Sequence, residues 1–432
     1  MHQMVTELFP ICRSITGDGV RATLKTIQSS VPIQIFEVPS GTKAFDWEVP
    51  REWNIRDAYI LDGDGKRVVD WKSNNLHVVS YSVPVDRWID LAELQQHLYS
   101  LEQQPDAIPY VTSYYKERWG FCLRHVDRLK LKEGIYRAVI DSSLGNGSLT
   151  YGEMVLPGTT KDEIFLSTYV CHPSMANNEL SGPVVTVELA KWLASQPRRY
   201  TYRIVFIPET IGSLVYLSRH LNHLKKNVVA GFVITCVGDD RTYSFLPSRK
   251  GNTLADRAAL NILGANYPHF DKYSFMDRGS DERQYCSPGV DLPMVSIMRS
   301  KYGTYPEYHT SLDNLSLVTP DGLAGAFTVL CDCLELLEHN RILQCTCLGE
   351  PQLGRRGLYP TVQRGPTPRE ATDMLNLLAY ADGENDLIEI SKIIQVPCSR
   401  LYATVDKLIS VGLLKEIDVK LNKKTEVSVS GN

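Results

Sequence analysis

"STYVCHPSMANNELSGP", residues 167 to 183, decides how the chain is read. The run "IFLSTYV" that leads into it, with Ile164, Phe165, Leu166 and Val170, predicts a buried strand, and "PVVTVELAKWLAS" behind it predicts a helix opened by Pro183. His172 and Glu179 therefore fall on a strand-to-helix loop, where parallel α/β sheets hold their ligands.

Outward from that stretch the pattern repeats. "YRIVFIP", "VVAGFVITCVG" and "LPMVSIM" read as further buried strands, and "GSLVYLSRHLNHLKK", "TLADRAALNILG" and a long stretch near 319 to 338 read as helices between and after them. This alternation predicts an α/β fold with a mostly parallel sheet flanked by helices, over 1–37 and 134–345. Between those parts, 38–133 is broken by Gly, Pro, Asn and Asp into short β-rich runs and reads as an inserted small β domain, with "LAELQQHLYSLEQQ" as a polar helix. "LGNGS" predicts a hairpin joining "GIYRAVIDSS" to "LTYGEMVL". The Gly- and Pro-rich 346–367 reads as a linker. Three amphipathic helices and the two strands of "VKLNKKTEVSVS" make 368–432 a C-terminal winged helix-turn-helix.

A chain of 432 residues is expected to form two or three domains, and 43% hydrophobic with 22% charged residues is ordinary for a globular protein. No segment offers a membrane span, and "MHQMVTELFPICRSITG" lacks the basic and apolar regions of a leader, so a cytoplasmic location is expected. Ten scattered cysteines suit a reducing compartment; Cys331 and Cys333, on a helix, read as buried thiols and not as a zinc ribbon. A net charge of −4 argues against a nucleic-acid partner, and so do eight basic against ten acidic residues in 366–432. Protein contact or homo-oligomer formation through the C-terminal domain is expected instead.

Four loops at strand ends carry polar residues: "CHPSMANNELSG" with His172, Asn178 and Glu179; "FIPETIGS" with Glu209; "CVGDDRTYS" with Asp239 and Asp240; "GTYPEYHTSLDNL" with His309 and Asp313. Imidazoles and carboxylates are zinc ligands, and a further carboxylate can take a proton from water. In this order the motifs resemble the zinc aminopeptidase and glutamate carboxypeptidase superfamily. The whole chain, with "SITGDG", "EPQLGRRGLYP" and its C-terminal domain, looks more closely like bacterial aminopeptidase-like proteins often encoded beside surface-polysaccharide genes.

The resemblance implies a zinc site, and the departures from it shape the site. Ser174 stands where the superfamily pattern has Asp, Asn178-Glu179 where it has Asp-Asn, and Glu209-Thr210 where it has Glu-Glu. What remains implies one zinc per chain held by His172, Glu179 and His309, with Glu209 as general base. Asp313 is expected to orient His309, and Asp239 and Asp240 to form a turn. Arg283 and Arg299, on loops of the same domain, are expected to hold an anionic group of the substrate.

The expected function is a zinc-dependent hydrolase cleaving an amide in a small anionic substrate, a peptide or an N-acylated sugar precursor. The alternative is a catalytically degraded scaffold that binds a glycan precursor or a partner protein in surface-polysaccharide synthesis. A regulator with a DNA-binding tail is the least favoured, given the tail's acidic balance.

Overall fold

The computed structural model describes residues 1–267, 269–358 and 369–417; the strands expected in 419–430 lie outside them. The chain divides into two compact units, Met1–Gly251 with Asp271–Thr328, and Asn252–Phe270 with Val329–Asn432.

In the first unit an eight-stranded sheet runs in the order Gln34–Pro39, Ser148–Leu156, Thr201–Ile207, Glu163–Tyr169, Val228–Val233, Met294–Met298, Ser244–Leu246, Asp271–Lys272. The four strands from Thr201–Ile207 to Met294–Met298 are parallel. Nearly every residue in them is buried, as a parallel sheet covered on both faces requires. Glu163–Tyr169 pairs with Thr201–Ile207 on one side and Val228–Val233 on the other. Its two neighbours follow it in sequence on opposite sides, which opens a crevice beyond its C-terminal end.

The helix Ser181–Ala194 docks closely on this sheet because of Gly182. A Cβ there would stand 2.3 Å from the carbonyl oxygen of Ile234 and 2.5 Å from Thr168 Oγ1. Ser181 Oγ beside it donates to the Asn177 carbonyl and accepts from Val237 N–H at 2.9 Å. The small pair after Leu180 thus lets the helix N-terminus touch the strand ends.

A second, antiparallel sheet has the order Arg67–Asp70, Glu52–Leu61, Ile135–Gly145, Val85–Asp90. The hairpin predicted at Gly145-Asn146-Gly147 does not form. Ile135–Gly145 pairs within this small sheet and Ser148–Leu156 within the large one, so the turn passes the chain from one sheet to the other. The inserted region therefore shares its longest ladder with a strand beyond 133. The helix expected over 91–104 is cut to Leu91–Gln95, because Leu98–Tyr99 pairs with Phe121–Cys122. Tertiary pairing overrides helix propensity there.

In the second unit Ile342–Cys345 pairs with both Asp382–Asp386 and Leu414–Glu416, so the winged-helix sheet takes its first strand from ahead of the stretch read as a linker. The helices are Arg369–Tyr380, Leu387–Ile394 and Cys398–Ser410, the last burying Cys398, Leu401, Val405 and Leu408 along one face. Asp386 accepts from Glu389 N–H at the start of its helix and from Arg257 through both oxygens, at 2.8 and 2.6 Å. Among the described residues no helix is long and apolar enough to cross a membrane.

Candidate active site

The strand Glu163–Tyr169 delivers Val170, Cys171 and His172 into the crevice, and a tight turn over Ala176–Leu180 brings Glu179 back beneath the histidine. Asp313 holds that turn, accepting from the N–H groups of Ala176, Asn177 and Asn178 at 3.0, 2.6 and 2.9 Å and from the Tyr305 hydroxyl at 3.1 Å. A buried carboxylate so caps the N–H groups ahead of the helix. Asp313 is engaged there and not on His309, contrary to the role expected of it.

Glu179 Oε2 lies 2.8 Å from His172 Nδ1, and Arg13 spans the pair from behind. Its Nε donates to the His172 carbonyl at 3.0 Å and stands 3.8 Å from Glu179 Oε1. With Nδ1 held, His172 turns Nε2 toward Glu209, whose Oε2 is 3.5 Å away. Cys171 Sγ, a nitrogen of His172 and an oxygen of Glu179 lie within 4.8 Å of one another.

Glu209 follows the neighbouring strand Thr201–Ile207 on a turn with backbone strain. Thr210 has φ 63° and ψ −74°, a conformation a β-branched residue adopts only when its surroundings impose it. Asp281 imposes it here: its Oδ1 accepts from Thr210 N–H at 2.8 Å and from Ser213 Oγ at 2.9 Å. Arg283 donates to Thr210 Oγ1 at 2.7 Å and lines the cavity.

His309 also sits at positive φ, 57°. The inserted region fixes its loop: Tyr110 N–H donates to the His309 carbonyl at 2.9 Å, and Ile108 exchanges hydrogen bonds with Ser311. The Tyr110 ring stands edge-on to His309 at 5.2 Å and 5.3 Å from His172, and the two histidine rings are 5.4 Å apart. His172, Glu209, His309, Tyr110 and Arg283 line one cavity of about 330 Å³.

Burial shapes the charges. His309 is driven down to about 3 by burial and then by His172, so it is a neutral imidazole. Burial also works against the His172 imidazolium, but Cys171 and Glu179 raise its proton affinity well above that of a free histidine. Burial lifts Glu209 above the ordinary carboxylate range, against the pull of His172 and Arg283. Burial and then Glu209 push Asp281 up to about 7. Two histidines of opposed proton affinity thus stand beside two carboxylates whose proton affinity burial has raised.

Atoms buried here without a hydrogen-bond partner include His309 Nε2, Glu179 Oε1, Asn178 Oδ1, Asp281 Oδ2 and Arg13 Nη2. Leaving such atoms bare costs about 1–3 kcal/mol each. The ligand atoms of Cys171, His172 and Glu179, all within 4.8 Å of one another, fit a metal ion. His309 is not part of the cluster of Cys171, His172 and Glu179, and Arg299 stands away from the cavity lining, its guanidinium stacked 4.0 Å over the Tyr243 ring. Asp239 accepts from Asn177 Nδ2 and from Ser300, and Asp240 from Thr319 Oγ1. Arg13, Tyr110, Cys171 and Asp281 went unread in the sequence. "CHP" carries Cys171 in plain view, whereas Arg13 lies 159 residues from the carbonyl it binds.

Residues 2–340 match a family model described as a domain of unknown function, DUF4910. The chain belongs to that family. Residues 341–416 match a separate winged helix-turn-helix model. A Clostridium acetobutylicum protein, provisionally named a polysaccharide biosynthesis protein with an aminopeptidase-like domain, is 45% identical over 420 residues, covering 96% of each chain. A crystal structure from the same organism, provisionally described as a peptidase, superposes with a TM-score of 0.91 at 43% identity over 96% of each chain. A zinc aminopeptidase from Bacillus subtilis superposes with a TM-score of 0.55 at 12% identity, over 77% of this chain and 93% of that one. The DUF4910 chain thus has an aminopeptidase-like fold.

Proposed function

We propose that this DUF4910 protein is a metal-dependent hydrolase of aminopeptidase type that cleaves an amide bond in a small substrate, a peptide or an N-acylated sugar. The observation that carries the reading is the convergence of His172, Glu209 and His309 on one cavity, with Glu179 bonded to His172 behind it and His309 Nε2 and Glu179 Oε1 buried and bare.

His172 and Glu179, clustered with Cys171, would hold one zinc ion together with His309, whose ring stands 5.4 Å from that of His172. When bound, such an ion supplies Lewis acidity, polarising a carbonyl oxygen and making water more acidic. A second ion lacks its carboxylates, since Asn178 and Thr210 are neutral. Glu209 takes a proton from water on its carboxylate and returns it to the departing amine, a role its raised proton affinity suits. Arg283, tethered to Thr210, binds an anionic group of the substrate at the cavity wall. Asp281 keeps the Glu209 turn in its strained form. Tyr110 closes the side between the histidines and limits water.

The C-terminal domain serves protein contact in this reading. On its last helix Arg400 is paired with Asp373 at 2.8 Å and Lys407 with Glu370 at 3.7 Å, which leaves little charge for a phosphate backbone. The Clostridium relative's name supports a place in polysaccharide biosynthesis.

The test is release of free amine from a panel of aminoacyl and N-acetyl-sugar amides by metal-replete protein and by Glu209→Gln. The variant is expected to lose about a hundredfold to ten-thousandfold in rate while keeping its metal. Full activity in the variant would refute the base assignment.

A further inference from the structure

We infer that a hollow beside the cavity, floored by Trp47 and Tyr115, is a saccharide-binding subsite; this rests on reading the adjoining cavity as the reactive site. The hollow has a volume of about 530 Å³ and is lined by Trp47 and Tyr115 with the polar residues Ser40, Glu48, Arg51 and Asn146. Trp47 and Tyr115 also line the cavity that holds His172 and Glu209, so the aromatic pair stands where the two spaces meet.

The exposure of these two aromatic residues needs an explanation that folding does not provide. Trp47 is 37% exposed and Tyr115 59%, although each could bury a large apolar area, and their rings meet edge to face at 5.5 Å and 71°, which leaves ring faces open to solvent. Trp47 is presented by a hairpin of Lys43–Ala44 and Trp47–Glu48, and Tyr115 reaches its ring from a separate part of the inserted region. The turn residue Asn146, between two glycines, adds an amide that both donates and accepts.

The pairing of open aromatic faces with a polar rim selects the ligand class. A pyranose ring has an apolar face of C–H groups that lies on an aromatic ring, and hydroxyls around its edge that need donors and acceptors. Ser40 and Asn146 both donate and accept at the margin of the hollow, and Glu48 and Arg51, held by Lys43 and Glu117, add an acceptor and a donor beside them. An apolar peptide side chain would be served by enclosing apolar walls, whereas this hollow is open and polar-edged. A sugar seated here would carry its amide substituent toward Glu209.

The probe is a β-1,4-linked N-acetylglucosamine tetramer, with a hyaluronan tetrasaccharide as the charged counterpart, titrated calorimetrically into the full chain carrying Glu209→Gln so that turnover cannot interfere. Saturable binding of at least one saccharide is expected, weakened about tenfold by Trp47→Ala and likewise by Tyr115→Ala, with circular dichroism of both variants unchanged because the side chains are exposed. No saturable binding of either saccharide, or binding that ignores both aromatic substitutions, would overturn the inference. Binding of an aromatic tripeptide amide that depends on Trp47, with none of the saccharides bound, would overturn it in favour of a peptide subsite. Saccharide binding in a wild-type protein that hydrolyses no amide would leave the subsite standing and remove the hydrolase reading.

Discussion

The two ends of the central sheet use the same residue types to opposite effect. At the start of its strand, Glu163 receives Arg203 through both oxygens at 2.7 and 3.0 Å and His223 at 2.7 Å, and Arg203 also reaches Glu153. Each of these ionic side chains has a partner, and none is among the bare buried atoms. Where the same strand ends, Glu179 and His309 leave atoms bare, and Ser174, Thr210, Cys236 and His309 sit at positive φ. Histidine, glutamate and arginine thus say little by themselves. Bare polar atoms together with imposed backbone strain separate a working site from a structural clamp.

The largest effect expected of a substitution that challenges this contrast is at the clamp. Arg203→Ala strands two carboxylates that are nearly buried, and should lower the free energy of unfolding by about 3–5 kcal/mol, read from denaturant titration. Metal content of the folded fraction should not change. A stability loss below about 1 kcal/mol would mean that the clamp end is no more satisfied than the other.

Asp281→Ala should act on the site end through geometry. It frees Thr210 N–H and lets Glu209 drift, so kcat on any amide the protein cleaves should fall about tenfold to a hundredfold with KM changed less than threefold. A rise in KM alone would make Asp281 a substrate contact and not a positioning residue.

A smaller effect is expected at Glu52, another satisfied carboxylate, bound by Arg21 through both oxygens and by Ser148 N–H. Arg21 holds its carboxyl down at about 2 against an ordinary 4.5. The folded-state value is the lower one, so the stabilisation is present above the ordinary value and is lost as pH falls from about 4.5 toward about 2. Glu52→Gln should remove about 1–2 kcal/mol at neutral pH, discounted for partial exposure, and flatten acid unfolding across that window. An unchanged acid limb would place the pair among ineffective surface bridges.

Much of the fold and part of the site were legible in the sequence. Unbroken apolar runs ending in His172 and Glu209 can only be buried strands with polar loops, and "YHT" with a following helix placed His309 on the same edge. What stayed hidden depends on contacts that local pattern cannot carry. Arg13 reaches the site from a turn far upstream, and Tyr110 comes from an insertion whose packing on the His309 loop no periodicity announces. Asp313 read as a partner for His309, four residues away, but its carboxylate turned to the N–H groups of Ala176–Asn178. Gly145-Asn146-Gly147 read as a hairpin because turn chemistry is local, while the sheet each flanking strand joins is decided elsewhere.

The most direct test of the central claim is metal content by mass spectrometry on protein purified without chelators or nickel resin, compared with His309→Ala at the site end and His223→Ala at the clamp end. One equivalent of zinc is expected in the wild type and in His223→Ala, with less than a tenth of that in His309→Ala. Zinc retained in full by His309→Ala, or two equivalents in the wild type, would contradict it.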